Sequence, residues 1–410
     1  MTSRIYYDQP DLLEFDSTVE TVTPTAADES RSSITLRESA FYPTSGGQIH
    51  DTGWLTLATG EKLRVTEVAD ADDGRVVHYL EACAKPPLAG TPVHGRIDAE
   101  RRRDHMQQHT GQHVLSAAFI ELYQMPTVSF HMGDDYCSID LAVSAMSAAQ
   151  ITATEKRANE IVYENRSVRI RYVRREEAEK LGLRKLPPEG RDELRLIEIA
   201  DFDLSACGGT HVHSTGQIGS ILLRKTEKTR QGIRVEFVCG GRSVRTARSD
   251  YTTLTEAAAL FSAQSSDVPD MIRKTFEEGK ALRRERDDAL EELAEAMAAS
   301  ALAEQPKVGG SLVITKVFAD HDINFAKLFA QKATRAGKPV VALVASSVNP
   351  VGMVFAQTPG GKADMGAVLK QVLTPVGGRG GGSHDFAQGG VPPGCDVEQL
   401  LRQAAGTIGA

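Results

Sequence analysis

Apolar and polar residues alternate in short runs through the first part of the chain. The runs SSITLRES, WLTLATG and RVVHYLEA are examples, and glycine, aspartate and proline stand between them. A period of two residues predicts half-buried β-strands, and the residues between the runs predict turns. Because many short strands follow one another over residues 1–95, we expect this segment to close into a small β-barrel.

The pattern changes to a helical period after Asp98. Apolar residues recur at three- and four-residue intervals through DAERRRDHMQQHTGQHVLSAAFIELY, which predicts a helix. TVSFHMGDDYCSIDLAV alternates around a Gly-Asp-Asp turn and predicts a hairpin, and residues 147–162 predict a second helix with an N-capping Ser or Thr. RSVRIRYVRR, IEIADFDLS and GIRVEFVCGG predict further strands. We therefore expect an α+β domain over residues 96–248.

The rest of the chain predicts a helical segment and then a mixed domain. Residues 249–303 are rich in Ala, Glu, Leu, Arg and Lys, which is typical of a long helix, alone or paired with a shorter one. After the linker EQPKVGG, the apolar runs SLVITKV, PVVALVASS and GMVFAQT are separated by helical segments. This alternation predicts a compact α/β domain over residues 304–410. The predicted fold class is therefore α+β and multidomain.

Composition limits the class of protein only broadly. The chain has 410 residues, of which 41% are hydrophobic and 25% charged, as in ordinary globular domains. It contains no apolar run long enough to span a bilayer, and its N-terminal residues lack the apolar core of a signal peptide. The five cysteines are scattered and odd in number, which is typical of a reducing compartment. We expect a cytoplasmic location and no membrane partner.

The net charge of −8 is unevenly distributed. Residues 1–99 hold 16 acidic and 8 basic residues, so the rest of the chain is neutral. Residues 221–250 hold 8 basic and 3 acidic residues, and residues 306–410 hold 10 and 6. A local basic excess is what phosphate binding requires, although an ordinary solvated surface gives similar counts.

Two pairs of soft donors point to a metal. His109 and His113 are four residues apart on the predicted helix, which places both imidazoles on one face. In Cys207-Gly-Gly-Thr-His211 the glycines permit a tight turn that brings thiolate and imidazole together. Each motif is a weak signal alone, since two polar residues on a helix are common. Together they predict one tetrahedral Zn²⁺ per chain.

Other histidines and cysteines could compete with these ligands. His105 lies one turn before His109 and is expected to pack, and His213 is a weaker candidate than His211. The remaining cysteines of this part of the chain are expected to be small buried hydrophobic residues: Cys83, Cys137 and Cys239. Four protein ligands are typical of structural zinc, whereas hydrolysis needs an exchangeable position. Whether the zinc is catalytic, substrate-positioning or structural stays open.

Four motifs together resemble the editing domain and the C-terminal domain of alanyl-tRNA synthetase. The two donor pairs resemble its zinc signature, and GGRGGGSHDFAQGG resembles the glycine-rich motif of the DHH-associated C-terminal domain. Phe41–Gln48 with Asp51–Gly53 resembles the F-Y-x-x-S-G-G-Q-x-x-D-x-G motif, and Gly232–Glu236 resembles the segment after the Cys-Gly-Gly-Thr-His turn. The barrel pattern starts at the first residues, which leaves no room for a class II activation core. The chain is therefore similar to the long form of the free-standing alanyl-tRNA editing proteins, the AlaX family.

The resemblance implies a domain order and an activity. The order is a barrel with a Gly-Gly-Gln loop (1–95), a zinc-containing editing domain (96–248), a helical linker (249–303) and a glycine-rich tRNA-binding domain (304–410). The activity is zinc-dependent trans-editing, the hydrolysis of mischarged Ser-tRNA(Ala) and, as a second substrate, Gly-tRNA(Ala). Serine is the safer substrate, because a site that hydrogen-bonds its hydroxyl rejects alanine. The linker or the C-terminal domain could also form a homodimer.

Two other functions remain open at this stage. One is a non-catalytic tRNA-binding protein with a structural zinc. The other is an unrelated zinc hydrolase such as a peptidase, against which the absence of His-Glu-x-x-His argues. A DHH phosphoesterase would need an Asp-His-His motif, which does not occur in the sequence.

The resemblance also implies roles for individual residues. Gly46 and Gly47 would approach the terminal adenosine of the tRNA at the pocket mouth, unless they form only a hairpin turn. The residues expected to act on the substrate are Gln48, Thr110 and Thr210; Thr110 could instead cap or pack. The residues expected to bind tRNA are Gly46, Gly47, Lys362, Arg379, Gly380 and Gly381, with Lys370 nearby. Residues 377–382 are expected to form a flexible phosphate loop, or else a tight connection.

Overall fold

The alternating runs at the start of the chain form a closed barrel in the computed structural model. The model describes residues 2–24, 32–81, 86–184, 192–230, 232–304, 307–308 and 310–409. The strands of this part are β1 Ser3–Arg4, β2 Glu14–Pro24, β3 Ser32–Leu36, β4 Glu38–Ser39, β5 Gly53–Leu57, β6 Lys62–Asp70, β7 Val76–Leu80 and β8 Pro92–Ile97. The barrel order is β2-β3-β7-β6-β5-β8, and all neighbours are antiparallel. The predicted small barrel is confirmed.

The next part is built around one long buried helix. Its elements are α1 Ala99–Tyr123, β9 Thr127–Met132, β10 Cys137–Leu141, α2 Ala148–Tyr163, β11 Val168–Arg174, α3 Arg175–Ala178, β12 Glu193–Ile199, β13 Asp203–Ala206, β14 Ile221–Thr229, β15 Gly232–Cys239 and α4 Gly240–Leu260. The strands form the sheets β14-β15-β10-β9 and β11-β12-β13. The predicted hairpin is β9–β10, and Ser147 caps α2 in a capping box with Gln150.

Helix α1 is buried on more sides than its apolar spacing predicts. The polar residues Gln108, Gln112 and Ser116 are buried beside the apolar Leu115 and Phe119. Gln108 donates from Nε2 to Cys239 O and accepts the Cys239 N–H at Oε1, so its amide is satisfied. Buried polar groups are tolerated when they are hydrogen-bonded, and apolar periodicity alone cannot reveal this.

A buried ion pair ties the barrel to the start of α1. Arg102 is 1% exposed and its Nε donates to Asp51 Oδ2 at 3.1 Å. Asp51 also accepts the Tyr42 N–H at 2.7 Å. A buried charge needs a partner with good geometry, because desolvation is costly. The pair therefore holds the barrel segment that contains Tyr42 against the helix.

The chain divides into two compact units, Met1–Glu256 and Ala257–Ala410. The elements after α4 are α5 Val268–Glu304, β16 Lys307–Val308, β17 Ser311–Phe318, α6 Ile323–Thr334, β18 Val340–Ser346, β19 Gly352–Gln357, α7 Met365–Leu373, β20 Arg379–Gly382, β21 Phe386–Gly390 and α8 Val397–Gly409. The predicted long helix is thus α5, preceded by the shorter α4, within which the division falls. The four-part division made from the sequence remains a prediction.

Short 3₁₀ turns lie between these elements, at Ile5–Tyr7, Thr215–Ile218, Ser265–Asp267 and Thr374–Val376. Among the described helices, none is both long enough and apolar enough to cross a bilayer.

The second unit is a six-stranded sheet with helices on both faces. Its strand order is β16-β17-β18-β19-β21-β20, with β17 and β18 parallel. Alternate residues of β18 pack on opposite faces: Val340, Ala342 and Val344 with α5 and α6, and Val341, Leu343 and Ala345 with α7 and α8. Burial on both faces explains the unbroken apolar run.

The glycine-rich segment near the C-terminus is partly a strand. Residues Arg379–Gly382 form β20, which pairs antiparallel with β21 at the end of the sheet. A Cβ on Gly380 would lie 2.6 Å from Gly389 Cα, so the two strands pack too closely there for a side chain. The expected flexible loop is therefore wrong for residues 379–382, because their backbone groups join the sheet.

Candidate metal centre

Helix α1 presents two histidines on one face. His109 and His113 are each 3% exposed, and their ring centroids lie 5.4 Å apart. This is the proximity that a four-residue separation on a helix predicts. Phe130 of β9 packs beside His109, with ring centroids 5.3 Å apart. The helix thus places two imidazoles side by side in the interior.

The second pair comes from the turn that follows β13. Cys207 Sγ lies 3.4 Å from His109 Nε2 and 3.3 Å from His211 Nε2. The turn requires Gly209, because a Cβ at that position would overlap the His109 imidazole. Without a side chain, the turn packs directly against α1. The two donor pairs therefore meet in one place.

The candidate ligand atoms form one compact group. They lie within 4.8 Å of one another and come from His109, His113, Cys207 and His211. A tetrahedral zinc ion with bonds of about 2.0–2.3 Å holds its ligand atoms roughly 3.5 Å apart. Thiolate and imidazole are also donors that zinc prefers. The residues present fit a tetrahedral metal by both chemistry and spacing.

Each imidazole is held at Nδ1 by a different partner. The Nδ1 contacts are His109 to Gln48 Oε1 at 2.7 Å, His113 to Asp203 Oδ2 at 3.2 Å and His211 to Thr110 Oγ1 at 3.2 Å. A hydrogen bond at Nδ1 leaves Nε2 as the free donor atom and fixes the orientation of the ring. All three rings are therefore oriented for ligation through Nε2.

Gln48 is placed by a tight turn in the barrel. Gly46 and Gly47 have φ values of +57° and +86°, and Ser45 and Gln48 exchange two backbone hydrogen bonds of 3.0 Å. Positive φ at both central residues is what a type I′ turn requires, hence the two glycines. The sequence left open a hairpin turn and a loop at the pocket mouth. The structure has the turn, and Gly46 of that turn also lines a cavity beside the candidate ligands.

The side chain of Gln48 is fully buried beneath that turn. Its Oε1 accepts the Thr210 backbone N–H at 3.1 Å, and its Nε2 donates to Thr210 Oγ1 at 2.9 Å. Because Oε1 must be an acceptor, the His109 Nδ1 that faces it carries the proton. Gln48 therefore joins the turn Cys207–His211 to helix α1 through hydrogen bonds with Thr210 and His109.

Thr110 and Thr210 are also fully buried, and each contacts a candidate ligand or a residue that holds one. Thr110 Oγ1 accepts the Val212 backbone N–H at 3.1 Å in addition to its contact with His211. Thr210 has its hydroxyl against the Gln48 amide. The roles of Gln48, Thr110 and Thr210 toward a substrate remain predictions, since each group is engaged within the centre.

Sequence reasoning missed Asp203. Its carboxylate accepts from His113, and it is held by Arg184 Nε at 3.0 Å and Ser205 Oγ at 2.8 Å. The signal was present, because alternation along a strand places residues 203, 205 and 207 on one side. A carboxylate partner could therefore have been sought at residues 205 and 203, two and four positions before Cys207.

The charges around the centre shift its pKa values in opposite directions. Burial would raise the pKa of Cys207, but the neighbouring His109 and His211 outweigh burial and hold it well below the usual value. Burial lowers the pKa of His211 to about 3. Burial would also raise the pKa of Asp203, but His113 and Arg184 bring it to about 2. The lowered pKa of Cys207 favours the thiolate, which is the form of cysteine that binds a metal.

The competing residues lie outside this group. His105 is buried and packs, with Nδ1 3.9 Å from Asp51 Oδ1. The side chain of His213 is 57% exposed and its Nε2 lies 3.4 Å from Asp11. As expected, two of the other cysteines are buried thiols, Cys137 and Cys239; Cys83 lies outside the described residues.

The residues predicted to bind tRNA in the second unit do not cluster. Arg379 pairs with Gly390, which pairs in turn with Gly352 at the start of β19. Lys362 follows the other end of β19. Both side chains are exposed, as are Lys370 and Gly380, whereas Gly381 is half-buried. Their role stays a prediction.

A cavity of about 180 Å³ opens beside the ligands. Cys207 and His109 line it together with the glycines of both turns, Gly46, Gly208 and Gly209. Its remaining walls come from the N-terminal segment and the barrel part of the chain (Arg4, Tyr6, Tyr7, Tyr42 and Ser45) and from Ala206 at the end of β13. The tyrosines gave no signal in the sequence, because only the fold brings residues 6, 7 and 42 to residue 207.

Two known protein families match segments of the first unit. The family described as "Threonyl and Alanyl tRNA synthetase second additional domain" matches residues 194–235, which include Cys207 and His211. The family "tRNA synthetases class II (A)" matches residues 6–101, which include the barrel. Two segments of the first unit are thus similar to domains of aminoacyl-tRNA synthetases.

Individual proteins are similar to nearly the whole chain. The alanine-tRNA ligase of Pyrococcus furiosus is 32% identical over 99% of this chain and 44% of its own length. That of Archaeoglobus fulgidus is 32% identical over 98% and 43%. The alanyl-tRNA editing protein AlaX-L of Pyrococcus horikoshii is 29% identical over 95% of each chain. The resemblance to alanyl-tRNA editing proteins and to alanyl-tRNA synthetases is confirmed, and the chain spans less than half the length of the ligases.

A solved structure also matches part of the chain. The C-Ala domain of Aquifex aeolicus alanyl-tRNA synthetase covers 26% of this chain and 99% of its own, with 20% identity and a TM-score of 0.24.

Proposed function

We propose that the chain is an aminoacyl-tRNA deacylase that hydrolyses the ester bond of Ser-tRNA(Ala) in trans. The observation that carries this proposal is a group of three imidazoles and one thiol, of which His109 and Cys207 line a small cavity. The relatives support the substrate class, because one is an alanyl-tRNA editing protein and others are alanine-tRNA ligases.

The metal of this proposal is zinc, held by His109, His113, Cys207 and His211. When bound, zinc supplies a Lewis acid that can polarise an ester carbonyl or orient the aminoacyl group. Gln48, Asp203 and Thr110 keep the three imidazoles in the required orientation through Nδ1. In this proposal Gln48, Thr110 and Thr210 act on the substrate through the ligands that they hold.

The cavity is large enough for a seryl group. Its volume of about 180 Å³ exceeds what a serine side chain fills, so selectivity would come from the polar groups at the wall rather than from size. Ser45 and the tyrosines at its wall offer polar groups to a serine hydroxyl. Alanine would leave such groups unpaired, which is an effective basis for rejection. Glycine lacks both the hydroxyl and the methyl group, so we expect slower hydrolysis of Gly-tRNA(Ala).

In this proposal the second unit binds the tRNA outside its acceptor end. Lys362, Arg379 and the backbone of Gly380 and Gly381 would contact phosphates, because exposed cations and side-chain-free backbone suit a polyanion. Affinity carried by phosphate contacts falls steeply with salt. An affinity that does not change between low and high salt would contradict this placement.

One observation favours a second function. The group already contains four protein donors, and closed tetrahedral sites of that kind are typical of structural zinc. The chain would then be a non-catalytic tRNA-binding protein.

A deacylation panel separates the two functions. Ser-, Gly- and Ala-tRNA(Ala) are incubated with the protein, and zinc content is measured on the same sample with and without a chelator. Editing predicts zinc near one equivalent per chain, hydrolysis of Ser-tRNA(Ala), little hydrolysis of Ala-tRNA(Ala) and loss of activity on chelation. Zinc without any hydrolysis would establish the structural role, and hydrolysis without zinc would contradict the metal assignment.

A further inference from the structure

Three tyrosines line the cavity beside the candidate metal centre, and their hydroxyl groups differ in the contacts they make. The Tyr42 hydroxyl donates to Ser45 O at 3.0 Å. The Tyr6 hydroxyl accepts from Arg4 Nη1 at 3.0 Å, and Tyr6 is fully buried. Tyr7 is partly exposed, and among the described residues its hydroxyl has only a longer contact, 3.5 Å from Arg4 Nη1. Because an arginine can only donate, this contact leaves the Tyr7 hydroxyl proton free.

The position of Tyr7 is fixed relative to the turn that carries Cys207. Arg195 donates from Nε to Tyr7 O at 2.9 Å and from Nη1 to Cys207 O at 2.6 Å, so it holds both segments. A Cβ on Gly208 would lie 3.7 Å from the Tyr7 hydroxyl oxygen. The hydroxyl therefore lies at the space that a side chain of residue 208 would occupy. A group held in this way loses little conformational freedom when it binds a ligand.

The surroundings of the Tyr7 hydroxyl favour a neutral ligand. Arg4 also lines the cavity, but Asp70 neutralises it, with Arg4 Nη2 2.7 Å from Asp70 Oδ1. The other serine or tyrosine hydroxyl that could serve as a donor there is that of Ser45, which is exposed on its turn. Water satisfies an exposed hydroxyl whichever ligand is bound, whereas a partly buried one is costly to leave unpaired. Tyr7 is therefore better placed than Ser45 to discriminate between neutral ligands.

We propose that the Tyr7 hydroxyl donates a hydrogen bond to the side-chain oxygen of the seryl group and so selects serine over alanine. This inference rests on the proposed function, since it names one group that recognises the proposed substrate. Alanine would place a methyl group against the hydroxyl and leave it unpaired. Glycine leaves that space empty, so a water molecule can occupy it and accept the same hydrogen bond.

The test removes one oxygen atom and compares three aminoacyl groups. Tyr7→Phe, which keeps the aromatic ring, is compared with the full-length wild type on Ser-, Gly- and Ala-tRNA(Ala). The matched control is Tyr172→Phe, which removes a hydroxyl that donates to Asp8 Oδ1 at 2.9 Å; neither Tyr172 nor Asp8 lines the cavity. The ratio kcat/KM is measured for each substrate, and zinc content is measured on every sample.

Recognition of the seryl oxygen predicts opposite changes for two of the substrates. In Tyr7→Phe, kcat/KM for Ser-tRNA(Ala) should fall roughly tenfold, because one hydrogen bond is lost. For Ala-tRNA(Ala) it should rise, since the methyl group then leaves no hydroxyl unpaired. The value for Gly-tRNA(Ala) and the zinc content should stay as in the wild type. Tyr172→Phe should keep the wild-type preference for Ser-tRNA(Ala) over Ala-tRNA(Ala).

Several results would overturn the assignment. An equal fall on all three substrates would mean that Tyr7 supports the cavity wall or contacts a part that the substrates share. An unchanged preference for serine over alanine would mean that its hydroxyl recognises neither. A loss of zinc in Tyr7→Phe, or the same change of preference in Tyr172→Phe, would assign the effect to the packing of this region.

Failure of the proposed function gives a different result. The wild type would then hydrolyse none of the three substrates. Binding of 3′-amino-3′-deoxyadenosine acylated with serine or with alanine, in which an amide replaces the ester, would still decide the role of Tyr7. A preference for the seryl compound that Tyr7→Phe abolishes would support the assignment. The same preference in both proteins, or no preference in the wild type, would reject it.

Discussion

Two glycine-rich segments of this chain use glycine for different physical reasons. Between β4 and β5 of the barrel part, Gly46 and Gly47 adopt positive φ to form a tight turn. Outside the barrel, Gly209 likewise lets the Cys207–His211 turn pack on His109. In the second unit, Gly380 and its neighbours form a strand, where the missing side chains permit close contact with β21. Glycine content therefore predicts close approach in both segments but does not predict whether the backbone turns or pairs.

The units that contain these segments also differ in what holds them together. The first has apolar cores in the barrel and around α1 and, in addition, buried polar contacts such as Gln48 to Thr210 and Asp203 to His113. The second packs apolar side chains on both faces of one sheet. Buried polar networks lose more than one contact when a member is removed, whereas apolar packing loses roughly the area that is deleted. The following substitutions and treatments should therefore affect the two units differently in zinc content, activity or stability.

The largest effect should come from Cys207→Ala. Loss of the thiolate ligand should reduce bound zinc to well below one equivalent and deacylation of Ser-tRNA(Ala) by a hundredfold or more, on the order of 3 kcal/mol. Metal analysis and single-turnover deacylation measure both quantities. Cys239→Ala, at a buried thiol outside the group, is the control and should keep its zinc. Full activity in Cys207→Ala would remove the metal from the proposed mechanism.

Chelation should destabilise only the first unit. A metal present at a thousand times its Kd stabilises the folded state by about 4 kcal/mol, and chelation removes this contribution. Denaturant unfolding with and without chelator, followed by hydrogen exchange, assigns the change to residues 1–256 or 257–410. If both units lost stability equally, the contrast drawn between them would be wrong.

The acid response should differ between the two units as well. His78 is buried in the barrel, where burial lowers its pKa to about 4, against about 6.5 in an unfolded chain. The unfolded chain then binds the proton more readily, so the stability contributed by neutral His78 is complete above pH 6.5. It declines as the pH falls toward 4, by about 3 kcal/mol in total.

His78→Asn tests that assignment. The variant should lose the His78 contribution to the pH dependence of denaturant unfolding between pH 7 and pH 4.5, whereas His211, whose pKa burial also lowers, should keep its own contribution. An acid response as steep as that of the wild type would place the titrating group elsewhere.

Gly209→Ala should disturb the metal centre through one methyl group. The new Cβ would overlap the His109 imidazole, so overpacking should cost about 1–3 kcal/mol and weaken zinc binding. Gly46→Ala is the matched control: its Cβ would meet nothing within 4 Å, so it should cost about 1 kcal/mol of backbone strain only. Zinc titration and thermal unfolding distinguish the two. Equal zinc affinity in both variants would argue against the close packing at Gly209.

The smallest effects on the metal centre should come from substitutions in the glycine strand of the second unit. Gly380→Ala should cost about 1–3 kcal/mol, because its Cβ would meet the backbone of β21. Gly381→Ala should be within about 0.5 kcal/mol of the wild type, since its Cβ would meet nothing within 4 Å. Neither should change zinc content. Equal stability of the two variants would contradict the pairing of β20 with β21.

Local patterns predicted much of the fold and the core of the site. Alternation predicted the barrel strands, and the helical period predicted α1 with His109 and His113 on one face. The Cys207-to-His211 turn was also evident, because glycine spacing and donor type are properties of a short segment. The division of α4 from α5 was less clear, since both helices have similar composition.

The sequence by itself determined the two donor pairs and the elements that carry them, because helix and strand periods are local properties of the chain. Only the tertiary structure decided what surrounds those donors. Gln48 reaches His109 across 61 residues and Arg195 reaches Tyr7 across 188, and no local period encodes such contacts. The glycine strand β20 is decided in the same way, since a strand forms only where a partner offers backbone groups in register. Long-range pairing and burial therefore complete a candidate site, whose donor residues can already be identified from the local sequence.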